Sequence, residues 1–193
     1  MVLASQYVDQ KDFANARDAY AIVAESQPEN WLAKSSLGWV LIRLGNLAEA
    51  GGPVESALEL APDRAQVVGT AGYYYLEQGD HEKALELLAR AAKALQDNPD
   101  VQYQYGRALS AAGRDAEAID VLRMALDSKG HFLDRADAEK LINKLQGGVV
   151  QTSVPVAGFE RLNLGRRPAD MCGRGPTRRA KVIRTPSGRE CSA

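Results

Sequence analysis

The sequence is short of reactive side chains. Cysteine occurs twice, at Cys172 and Cys191, and no CxxC pair is present. That excludes a disulfide framework in the first 170 residues and the usual thiolate zinc spacings. Histidine also occurs twice, at His81 and His131. Neither has a second histidine three or four residues away, so a helical metal pair is excluded. His81 takes the position of Phe13 and Leu47 in a repeat described below and is expected to pack. His131 is expected in a loop. No GxSxG, GxxxxGK[ST] or GxGxxG occurs. No apolar run approaches the roughly 20 residues of a membrane helix. The N-terminus "MVLASQYVDQKDF" has no basic stretch followed by an apolar one, so it does not read as a signal peptide.

Charge is scarce in the sum but not in its distribution. The net charge is −1 over 193 residues. Residues 1–146 carry 15 basic against 22 acidic side chains, a net of −7. Residues 147–193 carry 9 against 3, a net of +6. The chain therefore divides into an acidic body, 1–146, and a basic tail, 147–193. The tail is rich in glycine, proline and arginine, has one aromatic residue (Phe159) and shows no periodicity. Such a segment buries too little apolar surface to offset its chain entropy and is expected to be disordered. Its "GRGPTRRAKVIR" reads either as a solvated end or as an arm for nucleic acid or an acidic surface.

What the body has is a period of 34. "LASQYVDQKDFANA", "LGWVLIRLGNLAEA", "AGYYYLEQGDHEKA" and "YGRALSAAGRDAEA" align without gaps from Leu3, Leu37, Ala71 and Tyr105. Small residues recur at Ala4, Gly38, Gly72 and Gly106, and large ones at Tyr7, Leu41, Tyr75 and Leu109. Glycine recurs at Gly45, Gly79 and Gly113, with Lys11 as the exception. Alanine recurs at Ala16, Ala50, Ala84 and Ala118, followed by Tyr20, Val54, Leu88 and Leu122. A period of this length marks a stack of small supersecondary units.

Each unit reads as two helices, in the second unit Trp31–Leu44 and about Leu47–Leu60. Gly45 turns the chain through positive φ, and Asn46, like Asp12 and Asp80, caps the next helix. Gly38 marks a helix crossing, with Ala50 and Ala57 expected to face it. The second helix of unit 3 is expected to run to about Asp97, because Gln96 replaces the closing proline. Pro53 leaves three alternatives for its helix: a kink, a late start, or a hinge between units 2 and 3. The final stretch, 134–146, places Ala138, Leu141, Ile142 and Leu145 on one face as a capping helix, stopped by Gly147-Gly148. The array begins in mid-helix, as a piece of a longer array would.

This pattern resembles the tetratricopeptide repeat (TPR) family over about 145 residues. The resemblance implies an all-α, right-handed solenoid of antiparallel helix hairpins, about four units plus the capping helix. "LGWVLIRLG", "NPDVQYQYGRALSAAG" and "HFLDRADAEKLINKL" look most like bacterial members linked to exopolysaccharide secretion and surface display. A complete chain of this kind would be cytoplasmic, and a fragment of such a member periplasmic or envelope-associated.

The resemblance also implies a concave groove lined by first helices. Its positions carry Leu32, Ser35, Trp39, Ile42 and Arg43, then Gln66, Gly69, Tyr73, Leu76 and Glu77, then Asp100, Tyr103 and Arg107. Trp39, Tyr73 and Arg107 share one offset and should form a ladder. The carboxylate-clamp positions carry Ser35, Trp39, Thr70, Gln66 and Gln104, so no such clamp is expected. The function implied is a non-catalytic scaffold that binds a protein or peptide, with no cofactor, metal or small-molecule substrate. The alternatives are a structural spacer in a secretion assembly and binding through the arginine-rich tail.

Overall fold

The computed structural model describes residues 1–152, and the surroundings of side chains as far as Gly147. The expected tail beyond 152 lies outside the described residues. Among the described residues there are nine helices and no strand. They pair as α1 (Val2–Asp9) with α2 (Phe13–Ser26), α3 (Trp31–Arg43) with α4 (Leu47–Leu60), α5 (Ala65–Gln78) with α6 (His81–Ala94), and α7 (Pro99–Ala111) with α8 (Asp115–Asp127). The last, α9 (Arg135–Thr152), lies against α8. Each hairpin packs on the next, and first helices meet across units, α3 with α5 and α5 with α7. Among the described residues no helix is long and apolar enough to cross a membrane.

The hairpin turns repeat one device. Gly45, Gly79 and Gly113 have φ of 78°, 85° and 73°. The next residue donates its N–H six positions back: Asn46 to Leu41 O (2.9 Å), Asp80 to Tyr75 O (3.0 Å), Arg114 to Leu109 O (2.9 Å). This 6→1 bond satisfies a carbonyl that the helix end leaves free. Asp12 makes the same bond to Tyr7 O (2.8 Å), so Lys11 must adopt φ 60° without being glycine. A left-handed residue with a Cβ is disfavoured by roughly 1–2 kcal/mol. Lys11→Gly should therefore stabilise the chain by about 1 kcal/mol, read from the urea midpoint. No gain would mean that hairpin 1 does not limit unfolding.

Helix starts follow the same economy. Asp12 accepts from Asn15 N (3.2 Å), Asp80 from Lys83 N (3.1 Å) and Asn98 from Val101 N (3.1 Å). Asn46 occupies the equivalent position, but its side chain makes no capping bond.

The crossing glycines have a different neighbour from the one expected. A Cβ on Gly38 would come 2.5 Å from Val54 Cγ2, and one on Gly72 or Gly106 would come 2.7 Å from Cγ of Leu88 or Leu122. The facing residue is thus the large one of the second helix, and Ala50 and Ala57 are buried on either side of it. Absent side chains on α3, α5 and α7 are filled by Val54, Leu88 and Leu122, each 0–1% exposed. Gly51 makes room of another kind: a Cβ there would meet the Tyr74 hydroxyl at 2.7 Å.

Four expectations are corrected. The late start at Pro53 is not found, because α4 begins at Leu47 and continues through the proline. Glu49, whose carbonyl loses a partner, is exposed to water. Helix α6 ends at Ala94 rather than near Asp97. The buried Gln102 amide stops it by donating to the carbonyls of Ala92 (2.9 Å), Leu95 (3.3 Å) and Gln96 (3.4 Å). Helix α9 does not stop at Gly147-Gly148 but runs to Thr152. Glycine permits a left-handed exit without compelling one, and its cost inside a helix is only about 1 kcal/mol. Finally, His81 is exposed at the first position of α6 instead of packed, since the side chain there emerges before the helix meets its neighbours.

Candidate functional site

First helices α3, α5 and α7 line one face of the array, and that face holds a cleft of about 370 Å³. Its walls include Leu32, Ser35 and Trp39 from α3, Gln66, Thr70 and Tyr73 from α5, and Asp100 and Gln104 from α7. Five of the eleven residues placed on a groove by the repeat register are thereby brought together: Leu32, Ser35, Trp39, Gln66 and Tyr73. Leu32 is 42% exposed and Trp39 half-buried. Ser35 is enclosed and donates to Thr70 Oγ1 (3.1 Å), which in turn donates to Gln66 O (3.1 Å). The positions of a carboxylate clamp are thus occupied by a neutral, internally satisfied network.

The other six sit elsewhere. Ile42 and Leu76 are 4% and 6% exposed and belong to the core. Tyr103 is enclosed beneath Phe132, with ring centroids 5.9 Å apart. Arg107 and Glu77 pair at 2.7 Å, and the Arg107 guanidinium lies over the rings of Tyr73 (5.9 Å) and Tyr103 (5.8 Å). Of the expected ladder, Tyr73 and Arg107 touch. Trp39 instead meets Phe13 edge-on at 5.9 Å.

Arg43 makes the longest-range contact in the described chain. Its guanidinium lies over Phe13 (5.4 Å) and Trp39 (5.6 Å) and donates to Asp134 Oδ2 at 2.6 Å, 91 residues away. Both side chains are little exposed, at 17% and 10%. Burial opposes the Arg43 charge, but the hydrogen bond and charge of Asp134 more than offset it, so its pKa is raised. Beside this pair, burial pushes the Asp100 carboxyl up, against the pull of the hydrogen bond from Leu133 N (3.2 Å).

Asp134 and its neighbours belong to the segment between α8 and α9. His131 and Leu133 of that segment line the cleft. Sequence reasoning placed none of them there, because the segment has no counterpart in the repeat. The chemistry available on this face is recognition by apolar, aromatic, amide and paired-charge groups. Among the described residues no group of three or more His, Cys, Asp or Glu could hold a metal ion.

Comparison with known proteins gives one answer throughout. Two models described as tetratricopeptide repeat match residues 1–65 and 75–145. The mouse interferon-induced protein with tetratricopeptide repeats 3 is 32% identical over 81 residues, 42% of this chain and 20% of that protein. The Arabidopsis thaliana protein CTR9 homolog is 31% identical over 128 residues, 64% of this chain and 12% of that protein. The chain thus spans a fifth or less of the length of these curated relatives. Among solved structures, MamA AMB-1 superposes with a TM-score of 0.58 at 22% identity, covering 77% of this chain and 86% of that one. YrrB, titled a TPR protein with an unusual peptide-binding site, superposes with a TM-score of 0.54 at 18% identity, covering 78% and 76%. At these identities the likeness is one of fold.

Proposed function

Because the chain belongs to the tetratricopeptide repeat (TPR) family, we propose that it is a non-catalytic scaffold that holds a protein or peptide segment in the cleft between its first helices. One observation carries the reading. Leu32 and Trp39, apolar side chains left part-exposed, share a cleft with the polar Ser35, Gln66 and Thr70. Aromatic anchors in a pocket, ringed by polar groups, are the ordinary anatomy of a recognition site. The peptide-binding site named for YrrB supports the same reading for the fold.

The test begins with a displayed random-peptide library selected on the full chain. Leu32→Arg should then weaken the selected peptides tenfold or more while leaving the melting temperature nearly unchanged. A substitution at an exposed site usually stays within about 0.5 kcal/mol of the parent. Selected peptides indifferent to Leu32→Arg and Trp39→Ala would sink the cleft as the site.

The second reading, a spacer within a larger assembly, draws on the small share of its relatives' length that the chain spans. It expects no peptide to be selected at all. Kinship with exopolysaccharide-linked members would place such an assembly in secretion, and rests on the quoted stretches alone. Binding through the arginine-rich tail would instead weaken steeply with salt.

A further inference from the structure

The segment between α8 and α9 does not follow the outside of the array. It turns back onto the lined face through three successive residues, each with its own partner. The Phe132 ring meets Tyr103 edge-on. The Leu133 N–H donates to Asp100 Oδ1 at 3.2 Å. The Asp134 carboxylate accepts from Arg43 at 2.6 Å. The segment is anchored behind by Ser128 Oγ, which donates to Asp97 O (3.3 Å), and by Arg135, whose guanidinium donates to Leu126 O (2.8 Å). Asp134 also begins α9, its carbonyl accepting from Asp137 N and Ala138 N at 3.0 Å each. A carboxylate at such a position ordinarily turns to its own helix's free N–H groups. Here it goes to Arg43 on the far wall.

We propose that residues 131–134 are an internal occupant of the groove, seated where part of a partner's peptide goes, and that this partner carries the same run: an aromatic, an aliphatic and a carboxylate side chain in succession. This rests on the cleft being a peptide site. It adds what that peptide looks like and what it must displace. Ring on ring, backbone N–H on a carboxylate, and carboxylate on an aromatic-flanked guanidinium are the three ways a groove reads an extended chain. All three are met here by consecutive residues. A tethered occupant competes at high effective concentration. The partner's apparent affinity is then reduced by the fraction of molecules in which the groove is open.

The probe is the segment itself, a labelled and end-blocked peptide of residues 129–136, Lys-Gly-His-Phe-Leu-Asp-Arg-Ala, followed by fluorescence anisotropy. The full-length parent should bind it weakly. Asp134→Asn keeps the shape and carbonyl that start α9 but releases Arg43, and should bind the peptide at least tenfold more tightly. Phe132→Ala frees a different anchor and should show the same gain. A peptide with asparagine in place of its aspartate should lose the gain, as should adding Arg43→Met to the Asp134→Asn chain. Circular dichroism of each variant checks that the array is intact.

Equal binding by parent, Asp134→Asn and Phe132→Ala, or no binding by any of them, overturns the proposal. So does binding indifferent to the peptide's aspartate. Failure here with library peptides still lost on Leu32→Arg would remove the internal occupant alone. Failure of the library test would remove the cleft as well.

Discussion

Tyr73→Ala should destabilise the array by about 3–5 kcal/mol, the range for an enclosed aromatic cut to alanine, whereas Trp39→Ala should cost clearly less. The two residues stand one repeat apart at the same offset, so the repeat alone assigns them one role. The structure separates them. Tyr73 is 6% exposed in the central core cluster, with Arg107 over its ring. Burial also pushes its hydroxyl pKa up. Trp39 is half-buried, its ring against Phe13 and its remaining area on the cleft. Chemical denaturation of both variants, beside their binding of library peptides, decides the matter. Trp39→Ala should lose peptide with most of its stability intact. Equal and large losses of stability would make Trp39 a packing residue and leave Leu32 to carry the site.

Gly72→Leu should be the most disruptive of the glycine replacements. The added Cβ alone would stand 2.7 Å from Leu88 Cγ and 3.1 Å from the Leu88 backbone nitrogen. The side chain could turn aside, but the backbone could do so only by spreading α5 from α6. Overpacking typically costs about 1–3 kcal/mol, and the four carbons of leucine put this site at the top of that range. Gly106→Leu should behave alike against Leu122. The control is Gly52→Ala, because a Cβ on Gly52 meets nothing within 4 Å. That change should stabilise by about 0.5–1 kcal/mol, the helix preference of alanine over glycine. Thermal melts in which Gly72→Leu matches the parent would mean that the α5–α6 crossing is placed wrongly.

Features that recur were legible in the sequence. Gly45, Gly79 and Gly113 all turn through positive φ, and Ala16, Ala50, Ala84 and Ala118 are all fully buried. A repeat exposes such positions because the same packing problem is solved again every 34 residues. The sequence also gave away the capping stripe: Ala138, Ile142 and Leu145 are buried and Leu141 packs beside them. What lay hidden occurs once. The end of α6 is set by Gln102, eight residues beyond Ala94. Leu88 as the neighbour of Gly72 depends on how deeply two helices interlock, which spacing does not encode. The Asp134–Arg43 pair joins residues 91 apart with no counterpart in other units. Helical period locates faces but does not say which loop will fold onto one.

That pair changes how the array should come apart. A stack in which each unit touches only its neighbours melts like a one-dimensional chain, fraying from either end with graded intermediates. A bond from α3 to the start of α9 breaks that independence, since the cap cannot leave without the second hairpin losing its partner. Native-state hydrogen exchange should therefore show α3 and the residues around Asp134 opening as one cooperative unit. Hairpin 1, outside the closed circuit and carrying the strained Lys11, should fray on its own.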